Sequence, residues 1–343
     1  MAEDELGRLC GYVSTIVASL PKTYGDRFWF DAGLIRAMSE DWSDQKLFSP
    51  IIVPYYETQW GYARLPMPLS EARSDSGMGQ SHVVDLICLP REDDLGYVAL
   101  LDYPWIAHEL AHSLMFRYDD LLLPLISPAV TAAVRRRRLA AIADRGRARA
   151  ASRSALDEFG RFWMPTVDHR NWAHELIADL VAAWVLGPVY LAVFEDLLGH
   201  GDQNPYQVSM VHPPYAVRVT TLLKAAHRLR FEEHSQALQR LSDSWGSSRR
   251  RSEKTNRYHF LADIEAIDAL IDGAFQFCEQ LGLRRWANTR ISRLTADVGG
   301  SGDRGLGTDL LVSAWLVFSR NGREDYARWE SETVRAIADS FKP

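Results

Sequence analysis

The sequence predicts an α+β fold that is mostly helical, with a small N-terminal sheet and a helical C-terminal region. Three observations carry that prediction. Two short runs rich in β-branched and aromatic residues, Ile51-Ile52-Val53-Pro54-Tyr55-Tyr56 and Val83-Val84-Asp85-Leu86-Ile87-Cys88-Leu89, lie before Pro104 and are bounded by breakers. From Pro104 onward, apolar residues recur mostly at helical spacing. The 343-residue chain is 47% hydrophobic and 24% charged, enough apolar mass for a real core and no sign of wholesale disorder.

The elements follow in three consecutive regions. Region 1–103 is α+β: helices over 6–20 and 31–41, the two β-rich runs, and a Ser/Gly-rich loop over 70–81. Region 104–230 is a helical core. Its first helix covers 105–118, with Pro104 suited to the first turn, where a missing N–H costs nothing. An Ala/Arg-rich helical stretch follows over 127–162, breaking near Gly146; a third helix over 171–198 kinks at Gly187-Pro188, and Pro213-Pro214 opens another to about residue 230. Region 231–343 is a helical C-terminal part. A polar loop is expected over 242–254, a helix through Ile264, Ile267, Leu270, Ile271 and Phe275, a glycine-rich segment over 297–308, and final helices over 309–320 and 324–341. No internal repeat is visible.

Charge and patterning narrow the function. The net charge of −6 argues against a protein that coats nucleic acid. The acidic start has no basic segment ahead of its short apolar stretch, so it does not read as a secretory signal. No apolar run is long enough for a membrane span: 121–134 is short and holds two prolines, and 176–198 carries Asp179, Glu195, Asp196 and the Gly187-Pro188 break. Cys10, Cys88 and Cys278 are scattered and form no metal or redox motif, and are read as reduced thiols of a cytoplasmic protein.

One motif dominates, His108-Glu109-Leu110-Ala111-His112, on the helix after Pro104. Residues four apart share a helical face, so two imidazoles can converge on one ion, while Glu109 can reach a bound water from the side. Two nitrogen ligands, an open position and a carboxylate base are what metal-assisted hydrolysis needs. A tetrahedral site asks for a third protein ligand. Downstream, Glu175 and Asp179 are four apart on the helix Asn171-Trp172-Ala173-His174-Glu175, a spacing suited to one carboxylate ligand and a second carboxylate that orients a ligating imidazole.

In this order the motifs resemble the gluzincin zinc metallopeptidases, whose third ligand is the Glu of a later E-x-x-x-D motif. Val211-His212-Pro213-Pro214 with Arg218 is similar to the third element of the HtpX-like and CAAX-processing endopeptidases, H-E-x-x-H then E-x-x-A-D then H-P with a nearby Arg. The resemblance covers about residues 83–225 and implies a zincin-like metalloprotease core. It implies Zn2+ bound by His108, His112 and Glu175, with Glu109 as general base and Asp179 hydrogen-bonded to a ligating imidazole. His212 would stabilise an oxyanion, and Arg218 would brace a helix or carboxylate. Residues 83–89 would form the edge strand along which an extended peptide lies. The membrane relatives have transmembrane helices and this chain has none, so their substrates are not carried over.

The expected function is therefore zinc-dependent hydrolysis of peptide bonds, by an endopeptidase in preference to an exopeptidase, with a protein or peptide substrate. Two alternatives stand beside it: a non-catalytic or latent sensor or binding module in a larger assembly, and a zinc hydrolase of non-peptide bonds. His174 competes with Glu175 as ligand, but neighbours on a helix point about 100° apart, and Glu175 with Asp179 explains two residues together. His169, Asp157 and Glu158 read as solvated or capping groups. His82, His200, His227, His234 and His259 have no constellation around them. Tyr206 and Tyr215 flank His212 but read first as core, as do Trp105, Trp163, Trp172 and Trp184. An Arg-rich helix over 135–153 (Arg135, Arg138, Arg145, Arg149 and Arg153 near one face) reads as a solvated face that could also meet an acidic partner.

Overall fold

The computed structural model describes residues 26–48, 51–57, 61–67, 82–90, 100–143, 157–163, 171–200, 204–210, 212–231, 235–250, 254–262, 264–287 and 307–341. The expected helix over 6–20, the loop over 70–81, the arginines at 145–153 and most of the 297–308 segment lie outside them. Most described residues are helical, and the rest includes one three-stranded sheet.

The contacts group the chain into two units rather than three consecutive regions: described residues of 1–113 with those of 291–343, and those of 114–290. The first unit holds α1 (Asp26–Asp41), β1 (Ile51–Glu57), β2 (Gly61–Met67), β3 (His82–Pro90), most of α2 (Pro104–Arg117) and a helix from the far end of the chain, Thr308–Phe341. The strand order is β1-β3-β2, with β1 parallel and β2 antiparallel to β3. This corrects the expectation of an edge strand at 83–89: β3 is central and paired on both sides. Proline explains the order, because Pro54 in β1 and Pro66 in β2 have no N–H to give a ladder, and such residues belong at edges. The nearly continuous apolar run of β3 suits the middle, where Ile87 and Leu89 are fully buried.

The second unit contains α3 (Asp119–Ala143), α4 (Trp172–Leu186), α5 (Pro188–His200), α6 (Tyr215–Leu229), α7 (Ser235–Arg250), α8 (Asn256–Leu261) and α9 (Ile264–Gln280). Helix α3 starts earlier than expected and runs through Pro124 and Pro128. These are four apart on its exposed face, where water can serve the carbonyls that the prolines leave without a donor. Between α4 and α5 the chain turns at Gly187, with φ +61° and ψ −136°; a Cβ there would come within 2.3 Å of the Trp286 ring. Trp163, Trp172 and Trp184 are buried, and their indole N–H groups donate to the carbonyls of Leu261, Ser209 and Leu283. They are core anchors.

Two further expectations are corrected. The polar loop over 242–254 is mostly helix, since α7 extends to Arg250. Ser, Gly and Asp there are weak helix formers, but α7 packs on α5, Leu241 is fully buried and Trp245 meets the Tyr206 ring edge-on. The two final helices are one, α10 (Thr308–Phe341), of 34 residues. Asn321-Gly322 reads as a break, yet an internal glycine costs only about 1 kcal/mol, which packing of α10 on α1 offsets. Among the described residues, no helix is long and apolar enough to cross a membrane.

Candidate metal centre

Helix α2 is apolar around most of its circumference, and Ile106, Ala107, Leu110, Ala111, Leu114 and Met115 are fully buried. Three polar side chains are set into it: His108, Glu109 and His112 are 4%, 6% and 7% exposed. Polar groups in such a place are costly unless they meet partners or a ligand. The helical repeat brings the two imidazoles together, with rings 4.9 Å apart and nearly perpendicular, and with the Nε2 atoms 3.2 Å apart. One ligand atom from each of His108, Glu109 and His112 lies within 4.8 Å of the other two.

The donor set fits a divalent ion such as zinc. With Zn–N bonds of about 2.0–2.1 Å, two nitrogens 3.2 Å apart subtend about 100° at the ion, near the tetrahedral value. Trp105 stands edge-on to His108 with ring centroids 5.9 Å apart.

The second unit assembles the other predicted residues. All of α4 is buried, and Asn171 caps it, accepting from the backbone N–H of His174 at 3.1 Å. The same Asn171 oxygen lies 3.0 Å from His174 Nδ1, so this fully buried histidine is tied to the cap. One residue on, Glu175 Oε2 lies 3.6 Å from His212 Nε2; Glu175 is buried, and the His212 side chain is 55% exposed.

One turn further along α4, fully buried Asp179 is gripped by Arg218, whose Nε donates to Oδ2 at 2.8 Å and Nη2 to Oδ1 at 2.6 Å. Tyr190 adds its hydroxyl to Oδ1 at 2.7 Å, and the guanidinium lies over the Phe194 ring at 4.9 Å. Burial works against the charge on Arg218, but the Asp179 charge and its hydrogen bonds outweigh that and hold the guanidinium protonated beyond the usual arginine range.

The predicted residues thus fall into two clusters, His108, Glu109 and His112 in the first unit and Glu175, Asp179, His212 and Arg218 in the second. Tyr206 belongs to an aromatic cluster with Trp245 and Tyr258. Glu158 pairs with Arg257 at the surface, and His227 and His259 are exposed. Sequence reasoning missed Tyr190, which follows the Gly187 turn and has no spacing relation to Asp179. It also missed Ser113, whose hydroxyl donates to Asp85 Oδ2 at 2.6 Å with both residues buried. An aspartate inside the apolar run of β3 was the available signal. No protein family, curated protein or solved structure matches the chain.

Proposed function

We propose that this chain is a zinc-dependent metallopeptidase of gluzincin type, with a zincin-like core and a protein or peptide substrate. The observation that carries the reading is the buried convergence of His108 and His112, Nε2 to Nε2 at 3.2 Å, with the Glu109 carboxylate beside them. His108 and His112 would hold the ion. The third ligand is assigned to Glu175 from the order of the motifs in the sequence. A zinc ion so held would supply Lewis acidity for hydrolysis near neutral pH.

Glu109 takes the water proton and passes it to the leaving amine, the role its position one residue after His108 suits. Arg218 and Tyr190 hold the carboxylate of Asp179, one turn after Glu175 on the same helix. His212, exposed three residues before α6, is assigned the oxyanion of the tetrahedral intermediate.

A second reading rests on burial. With His108, Glu109 and His112 each under 10% exposed, a latent or non-catalytic module with a structural metal is the competing function. Metal content and peptide-library cleavage, measured on wild type and on Glu109→Gln, separate the two. Zinc in both proteins with cleavage by wild type alone supports the peptidase. Zinc in both with cleavage by neither supports the latent module, and zinc in neither removes the metal site.

A further inference from the structure

Helix α2 is anchored just before its start and again past the motif by carboxylates that are themselves buried. At its start, the backbone N–H of Leu100 donates to Glu330 Oε1, from a residue 230 positions away on α10 that is 2% exposed. Tyr326, one turn earlier on α10, donates its hydroxyl to the same oxygen at 2.6 Å. Three residues after Leu100, Tyr103 donates its hydroxyl to Asp31 Oδ1 on α1 at 2.5 Å, and Asp31 is fully buried. Beyond the motif, Ser113 is tied to Asp85 on the central strand.

Three different elements therefore aim a buried carboxylate at residues 100, 103 and 113, and the histidines and Glu109 all lie between these anchors. Apolar contacts are non-directional and allow a helix to slide or rotate slightly on its bed. Hydrogen bonds to charged acceptors are directional and stronger than neutral ones, so they set the register. Burying a carboxylate is costly, and three at one helix are more than packing alone requires. Two imidazoles that must meet one ion have little tolerance for rotation of the helix that bears them.

From this geometry we propose that Glu330 is a positioning residue of the metal centre. It fixes the turn that starts α2 and so sets the rotation at which His108 and His112 present Nε2. The C-terminal helix is thereby part of the metal site's scaffold although it contributes no ligand. The inference rests on the reading of His108, Glu109 and His112 as a metal site.

The test uses the full chain, with Zn2+ affinity from chelator competition and the visible absorption spectrum of the Co2+-loaded protein. Glu330→Ala should weaken binding by about tenfold or more, as loss of an outer orienting partner does, and should change the Co2+ spectrum. Glu330→Asp, which draws the acceptor back by about one bond length, should show the same change in smaller measure and remains readable if the alanine variant does not fold. Glu330→Gln keeps an oxygen for the Leu100 N–H and should restore most of the affinity. Val317→Ala, a buried site on α10 away from that turn, should leave affinity and spectrum as in wild type.

Wild-type affinity and spectrum in Glu330→Ala, or in Glu330→Asp if the alanine variant does not fold, would overturn the positioning role alone. So would an equal loss in Val317→Ala at matched thermal stability. A wild type that takes up neither ion overturns the metal reading and this inference with it.

Discussion

Arg218 closes on Asp179 with two parallel hydrogen bonds, of 2.8 and 2.6 Å, where neither side chain has appreciable contact with water. The pair joins the position four residues after Glu175 on α4 to the helix that His212 precedes, so two sequence motifs about forty residues apart are linked by one buried ion pair. Removing one partner of such a pair leaves an uncompensated buried charge. Arg218→Met should cost about 3–5 kcal/mol of folding stability, read as a lower denaturant midpoint. The contribution should not vary with pH across the neutral range: a guanidinium whose folded pKa is raised keeps its stabilisation below the ordinary arginine value and loses it only above.

Metal affinity should respond to the same carboxylate. Asp179→Asn leaves the buried Arg218 charge uncompensated, so it should cost folding stability as Arg218→Met does. On the proposal that Glu175 is the third ligand, it should also lower zinc affinity by about 10–100-fold in the folded protein. His112→Ala should abolish stoichiometric uptake. Equilibrium dialysis with metal analysis checks both, and an unchanged affinity in Asp179→Asn would move that residue out of the metal's surroundings.

Gly187 allows little substitution. Its backbone has a positive φ, and an added Cβ would lie 2.3–2.7 Å from three ring atoms of Trp286, whose backbone N–H is itself fixed to the Trp184 carbonyl at 2.8 Å. Gly187→Ala should therefore destabilise by about 2 kcal/mol or more. Calorimetry of the variant would show it, and a melting temperature equal to wild type would refute it.

Stability should fall in the alkaline range through Tyr258. Burial, with the nearby Tyr206 adding to it, pushes its phenol up to about 12 from 10.0. The folded state thus holds the proton more tightly than the unfolded one. The contribution is complete below about pH 10 and is lost as pH rises towards 12. Denaturation midpoints across this interval should decline less steeply in Tyr258→Phe.

Cys278 should be inert in the folded protein. It is fully buried, and burial raises its thiol far above the range where a thiolate forms. Alkylation followed by peptide mapping should find Cys278 unmodified in native protein and modified in denaturant. Half-buried Cys88 should react faster under native conditions.

The helical elements were mostly legible in the sequence because they rest on local spacing. The helix of the H-E-x-x-H motif begins at Pro104 and ends within one residue of its expected end, and the Ile264 helix and the Pro213-Pro214 start also appear. The misreadings share a cause. Residues 242–250 and Asn321-Gly322 have loop-like composition, but intrinsic propensities differ by a kcal/mol or less per residue and packing on α5 and α1 outweighs them. The expectation of an edge strand at 83–89 ignored the two prolines that send β1 and β2 to the outside.

The sequence by itself determined the placement of three side chains within one helix: a repeat of 3.6 residues suffices to put His108 and His112 on one face with Glu109 between them in the chain. It also named Glu175, Asp179, His212 and Arg218 as residues to watch. Only the tertiary structure decided that Arg218 and Tyr190 meet on Asp179, that β3 is central, and that Glu330 reaches across 230 positions to the turn before the motif. Periodicity records which way a side chain faces its own helix axis. It carries no record of which distant element will stand opposite, because that is settled when the apolar faces of all the elements are buried together.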